Sequence, residues 1–342
     1  MRQKNSLIIT AILLSLTVLV QCSSKKKTDE SSDSPLGAVE KKSEVENDSP
    51  RARKFKDVAD KYRLSKAHIL EVSEDGEFRS KIGSQNRFKV TQSMGALTPL
   101  ITSLVIYRLI DRGVFSLNTK LYKVAPFTET ELPKSAWRIT IGDLLYARAP
   151  IMPKHPCMKN VFQTLSTCSL KILKVPAKTE KNKSDFSRLR ISHWHLLAWA
   201  AEKATDKKWQ QIFEDEIIRP LEISFNNSSQ YYTYPGKRIG IVNPRPAGGL
   251  VLTMEVYVDI LKSVLNSLYS GTGNFISSRT TKNYLKLLAS WNKTDDDSKL
   301  IIFQTSKSYS WIDRNKKSVG ALFFSPQAGG SGVTGRRIYG EL

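Results

Sequence analysis

The chain has 342 residues, enough for one large domain or two smaller ones with a substantial core, so size excludes nothing that an enzyme needs. Its formal net charge is +21. The Lys and Arg residues are scattered and lack the aromatic interleaving of a single-strand binder, which excludes nucleic acid as the expected partner. In an exported protein such a charge points to anionic lipid, envelope polymer or a solvated basic surface.

The amino terminus carries Arg2 and Lys4, then a mostly apolar, uncharged run over residues 7–20 that ends at Gln21-Cys22. A run that short suits a signal-peptide core better than a membrane-spanning helix. Leu19-Val20-Gln21-Cys22 resembles a bacterial lipobox, with Gln21 departing from the usual small residue. It implies that Cys22 becomes an acylated new terminus, anchoring the protein to a bacterial membrane on the periplasmic or surface side. The plain alternative is a cleaved secretory signal. Loss of Cys22 to lipidation leaves Cys157 and Cys168 free to pair as a disulfide in an oxidising compartment, or to remain two buried thiols. His155 stands beside Cys157, but no second spaced pair completes a zinc site, so no metal and no cofactor is expected.

From Ser23 to about Pro50 the composition is Ser, Lys, Glu and Asp with almost no large apolar residues, and such a segment cannot bury enough surface to order itself. The expected organisation is a signal peptide over 1–21, a tether over 22–52 and one folded domain over 53–342. That domain opens with a helix near Arg53, then strands over His68–Val72 and Phe78–Ile82 around the turn signal Asp75-Gly76, a hairpin. Beyond Gln92, apolar residues at Leu97, Leu100, Ile101, Leu104, Val105 and Leu109 keep a helical period. Within it, Thr98 is placed as N-cap and Pro99 as first helical residue, since proline inside a helix costs about 3 kcal/mol; the alternative is a kink, and either shifts Gln92–Gly95 from the start of a regular helix. Ser192 is placed as the cap of a helix over His193–Ala204, and a further helix is predicted over Trp209–Ile218. Another runs through Tyr257, Ile260, Leu261 and Leu265.

Several landmarks in order resemble the serine β-lactamase and penicillin-binding-protein superfamily, in its class C and esterase branch. Phe88-Lys-Val-Thr-Gln-Ser-Met-Gly95, the apolar helix and Asp111-Arg-Gly-Val-Phe-Ser-Leu117 resemble its nucleophile helix and exit. Ile139-Thr-Ile-Gly-Asp-Leu-Leu145 resembles its Ile-Thr-Ile-x-x-Leu-Leu. Pro246-Ala-Gly-Gly-Leu-Val-Leu-Thr253 resembles its Ala-Gly-Gly-Leu-x-Ser-Thr, the most specific match. Gly329-Gly-Ser-Gly-Val-Thr-Gly-Arg-Arg-Ile-Tyr339 resembles its His-Ser-Gly-x-x-Gly-Gln-x-Ile-Tyr strand. The likeness covers about residues 65–340. It implies an α+β fold: an antiparallel sheet flanked by helices, a helical lobe, and a C-terminal end cut short of the family's further strand and closing helix.

The resemblance also implies a reaction centre, and its three motifs lack their reactive groups here. The chemistry needs a serine with a lysine one helical turn on, a Tyr-x-Asn pair and a cation-bearing strand. Gln92 falls on the serine and Gly95 on the lysine, Leu189 and Ile191 on Tyr-x-Asn, and Gly330 on the cation. A register shifted by one offers Ser93 as nucleophile but no base. The expected function is therefore an exported, lipid-anchored, catalytically inactive relative that binds a peptide, a cell-wall fragment or an envelope protein. The alternatives are a serine hydrolase with a rebuilt site, using Ser93 or Ser331 with a histidine, and a decayed product with no cleft function.

Overall fold

The computed structural model of the chain describes residues 49–86, 88–127, 132–160, 162–175, 191–223, 232, 243–269, 275–291, 299–326 and 333–342. The expected signal peptide, Cys22 and nearly all of the tether lie outside them. Helix α1 (Pro50–Lys61) begins inside the segment assigned to the tether. The Ser49 hydroxyl accepts from the Ala52 N–H at 3.1 Å, and Pro50 occupies a first-turn position where its missing N–H is no loss.

Strands β1 (Leu64–Ser73) and β2 (Gly76–Ile82) form the predicted hairpin, in register from Ser73↔Gly76 to Ala67↔Ile82. A two-residue strand β3 (Gln92–Ser93) and a 3₁₀ turn (Gly95–Leu97) lead into α2 (Thr98–Asp111). The lobe that follows contains α3 (Leu121–Val124), α4 (Ile141–Leu145), α5 (Leu165–Lys174), α6 (Ile191–Thr205) and α7 (Trp209–Phe213). Thr140 and Asp143 close a reciprocal capping box at the start of α4, which explains that landmark's Thr. Strand β4 (Val251–Leu252), helices α8 (Met254–Tyr269) and α9 (Ser278–Trp291), strands β5 (Leu300–Gln304), β6 (Ser308–Asp313) and β7 (Ser318–Pro326), and α10 (Gly335–Gly340) complete the described elements.

The main sheet has the order β2-β1-β7-β6-β5, with every pair antiparallel. Period-two alternation gives it two apolar faces. Ala67, Ile69, Tyr309, Trp311, Leu322 and Phe324 point to one core, shared with Phe55 of α1 and Ile338 of α10. Leu70, Val72, Ile312, Val319 and Ala321 point to the other, which continues through α2, α6, α8 and α9. Strand β6 is buried on both faces because helices cover both.

Four sequence expectations are corrected. Of the C-terminal segment read as a strand, residues 329–332, with Gly330 and Ser331, lie outside the described residues, and 335–340 is α10 rather than a strand. Thr334 caps that helix by accepting from the Arg337 N–H at 3.3 Å. Gly335 permits its approach, since a Cβ there would lie 2.1 Å from Tyr309 Cβ. Before α10 run the paired strands β6 and β7. The strand preceding them is the edge strand β5, Leu300-Ile-Ile-Phe-Gln304, which has neither a cation nor a Thr/Ser-Gly pair. Second, α6 starts at Ile191, so Ser192 lies inside its first turn and its hydroxyl accepts from the His155 N–H at 3.2 Å. Third, Thr98 is helical rather than a cap, because the 3₁₀ turn runs straight into α2 and leaves Leu97 already helical in its backbone. Fourth, the helix from Trp209 loses α geometry at Glu214 and continues as a π-helical turn to Ile218.

Candidate functional site

The nucleophile-like segment is positioned by a small second sheet. Gln92 pairs with Leu252 and Ser93 with Val251, and the Met94 N–H donates to the Leu250 carbonyl at 2.8 Å. Thus two landmarks far apart in the chain, Phe88–Gly95 and Pro246–Thr253, are brought together by backbone hydrogen bonds. Thr102 of α2 ties them further, its hydroxyl donating to the Pro246 carbonyl at 2.6 Å. Phe88 is wholly buried; its carbonyl accepts from the Glu255 N–H, and its ring faces the Arg79 guanidinium at 5.4 Å. Arg79 in turn donates to Glu255 at 2.6 Å and pairs with Glu77.

Gln92 and Gly95 precede the helix instead of sharing its first turn. Gly95 has φ +49°, in the left-handed region, where any side chain is strained. The Gln92 Nε2 is buried and has no hydrogen-bond partner among the described residues. Ser93 is exposed, and its Oγ accepts from the Gly95 N–H at 3.2 Å. Among the described residues, no basic side chain hydrogen-bonds to that hydroxyl. Beside this turn lies a cavity of about 470 Å³ lined by Gln85, Asn86, Val90, Thr91 and Gln92. Among the described residues its lining is uncharged and rich in amides, able to donate to and accept from a peptide or a sugar. A larger hollow of about 610 Å³, lined by Glu202, Lys203, Trp209 and Gln210 among others, shares no residue with the frame.

Of the other predicted positions, Leu189 and Gly330 lie outside the described residues. Ile191 is the half-buried first residue of α6. Just beyond it, Ser192, His193 and His195 are all buried. Burial, only partly offset by the Asn243 amide, pushes the His195 imidazole down to about 3. His155 is also lowered, by burial and then by the Lys171 charge. A base as weak as His195 is poorly matched to taking a serine proton near neutral pH.

The structure joins Cys157 and Cys168 as a disulfide, with Cα atoms 5.5 Å apart. Asn243, which sequence reading passed over, is buried and donates to the carbonyls of Asn160 at 2.9 Å and Cys157 at 3.4 Å, so it holds the bridged loop to the body. No local pattern marks Asn243, because its partners lie more than eighty residues away. Among the described residues no group of three or more His, Cys, Asp or Glu is arranged to hold a metal ion.

Residues 93–230 match the family model described as Beta-lactamase. A search of curated proteins finds no match. Among solved structures, a candidate β-lactamase from Bacteroides dorei superposes with a TM-score of 0.64 at 17% identity, covering 81% of this chain and 90% of that one. A penicillin-binding-protein homologue from Caulobacter crescentus gives 0.60 at 12% identity, covering 82% and 92%. A D-stereospecific amidohydrolase from Streptomyces gives 0.55 at 13% identity, covering 80% and 94%.

Proposed function

We propose, from the premise that this chain has the fold of the serine β-lactamases and penicillin-binding proteins, that it is an exported, lipid-anchored member of that group acting by binding rather than by acyl transfer. The observation that carries this reading is the turn before α2. There the serine and lysine positions are occupied by Gln92 and by Gly95 in a left-handed conformation, and both stand ahead of the helix that begins at Thr98. Ser93 has the only hydroxyl between Gln92 and Leu97, and its hydrogen bond is to a backbone N–H. A nucleophile with no adjacent base gains nothing from the fold. The amide-rich cavity at the same turn supports binding of a peptide or a cell-wall fragment, because each amide offers both a donor and an acceptor.

The alternative reading, a serine hydrolase with a rebuilt site, is favoured by the activity named for the Streptomyces neighbour. One experiment separates the two. The purified protein is treated with a fluorescent penicillin and with a fluorophosphonate, then mapped by mass spectrometry. Binding without catalysis predicts no serine adduct, together with retention of the protein on a cell-wall peptide resin. A stoichiometric adduct, or turnover lost on changing one serine to alanine, establishes the hydrolase instead.

A further inference from the structure

We infer that the outward face of α1 and α10 is the side of the domain that rests on an anionic phospholipid surface. The inference builds on the proposed membrane anchor but reads a different part of the molecule. Helix α1 buries Ala52, Phe55, Val58 and Ala59 against the sheet and leaves Arg53, Lys54, Lys56 and Lys61 exposed. Helix α10 lies alongside. Lys61 pairs with Glu341 at 2.9 Å, Lys54 reaches the Leu342 carbonyl at 3.4 Å, and the Arg337 guanidinium stands 5.8 Å from the Tyr62 ring centre. Arg336 and Arg337 are exposed, as is Arg63 just after α1. Among the described residues the acidic side chains on this face are Asp57, Asp60 and Glu341, the last already engaged by Lys61 and Tyr62. The face therefore keeps a positive excess.

Its position gives that excess a partner. The described chain begins at Ser49, the cap of α1, so an anchor on any earlier residue would be joined to the domain through this helix. Residues 23–50 hold five Lys against seven Asp and Glu, so the basic excess belongs to the folded part and not to the tether. A tether such as their composition leads one to expect would span roughly 30 Å. The screening length in physiological salt is about 8 Å. A tether alone leaves the domain beyond electrostatic reach of the headgroups for much of the time, whereas a basic face next to the attachment point holds it there once they meet. Helix α9 also exposes cations, Arg279, Lys282 and Lys286, but its buried side belongs to the other core, away from the α1 layer.

The test uses the mature chain from residue 22 carrying Cys22→Ser, so that no acyl group contributes. Its binding is measured by co-sedimentation with vesicles of phosphatidylcholine alone and of phosphatidylcholine with phosphatidylglycerol, at low and physiological salt. The expected result is binding only to the vesicles that contain phosphatidylglycerol, weakened by salt. The triple variant Arg53→Glu, Lys56→Glu, Arg336→Glu should partition roughly tenfold or more less well. The control Arg279→Glu, Lys282→Glu, Lys286→Glu should change partitioning by no more than about twofold, both variants melting like the parent. Absence of binding to anionic vesicles, or an equal loss in the two variants, overturns the inference. Mass spectrometry of residue 22 in protein recovered from cells tests the anchor separately. An unmodified Cys22 with the vesicle result intact would remove the anchor and leave the basic face standing.

Discussion

The two ends of α2 differ in how their polar groups are held. At its C-terminal end Arg108 and Arg112 both pair with the buried Glu216, and Arg108 also lies over the Phe275 ring at 4.4 Å. Asp111 accepts from the Ser277 N–H at 2.9 Å and from the Thr280 hydroxyl at 2.6 Å. At the N-terminal end, the turn Gln92–Leu97 carries an amide, one serine and a strained glycine, and no charged side chain. The family-like exit sequence that begins at Asp111 thus sits where side chains cross-link α2 to two other helical segments. The family-like entry sequence is held by the buried Phe88 and Met94 and by backbone pairing, while the Gln92 and Ser93 side chains at its turn hold no other element in place. The first pattern is fixed by ion pairs and hydrogen bonds between elements, whereas the reactive positions of the second make no such contacts.

The comparison breaks most sharply at Glu216. Glu216→Ala leaves Arg108, whose charged form burial already disfavours, without its main partner. Thermal or urea denaturation should show a loss of about 3 kcal/mol. A loss below about 1 kcal/mol would mean that the exit end is not the anchored one.

Next is the graft Gln92→Ser with Gly95→Lys, which rebuilds the motif on paper. It should destabilise the domain by about 1–2 kcal/mol, because the introduced lysine would have to adopt the positive φ that Gly95 holds. It should also fail to acquire a penicillin adduct, since the two side chains would not share a helical turn. Covalent labelling of the graft would show that the turn reorganises into a helix start.

Asp111→Ala is smaller, about 1 kcal/mol, the exposed carboxylate losing its bonds to Ser277 and Thr280. It also carries a pH signature. Burial raises the Asp111 carboxyl, but hydrogen bonds from Ser277 and Thr280 and the nearby Arg108 charge outweigh that and hold it below 3.8. Its stabilisation is therefore complete above the ordinary value and lost as pH falls through the lowered one. Melting temperature against pH should fall less steeply in that acid window for Asp111→Asn than for the parent. Smallest of all is Ser93→Ala, expected within about 0.5 kcal/mol of the parent and without effect on reaction with fluorophosphonate. A change in labelling at Ser93 would move the turn from a binding role to a catalytic one.

The hairpin, the apolar period of α2 and the helix after Thr253 were legible from residues alone, since each is a local pattern of period two or 3.6. The superfamily's fold was legible for the same reason, as an ordered run of such patterns. Three placements were not. A Gly-Arg-Arg-Ile-Tyr segment reads as the end of a strand, but it folds as α10 because Gly335 lets it press on Tyr309 and Ile338 completes a core already made by α1 and the sheet. Ser192 reads as a cap, yet α6 starts one residue earlier and its hydroxyl serves the His155 N–H instead. Asn243 carries no signal, because its partners come from the bridged loop. The sequence by itself determined the elements, the charge and the absence of a Ser-x-x-Lys pair at the turn. That the turn stands ahead of the helix follows from Pro99, but tertiary structure alone decided that it is a strand edge, because that depends on hydrogen bonds to residues 250–252, which no local pattern of side chains encodes.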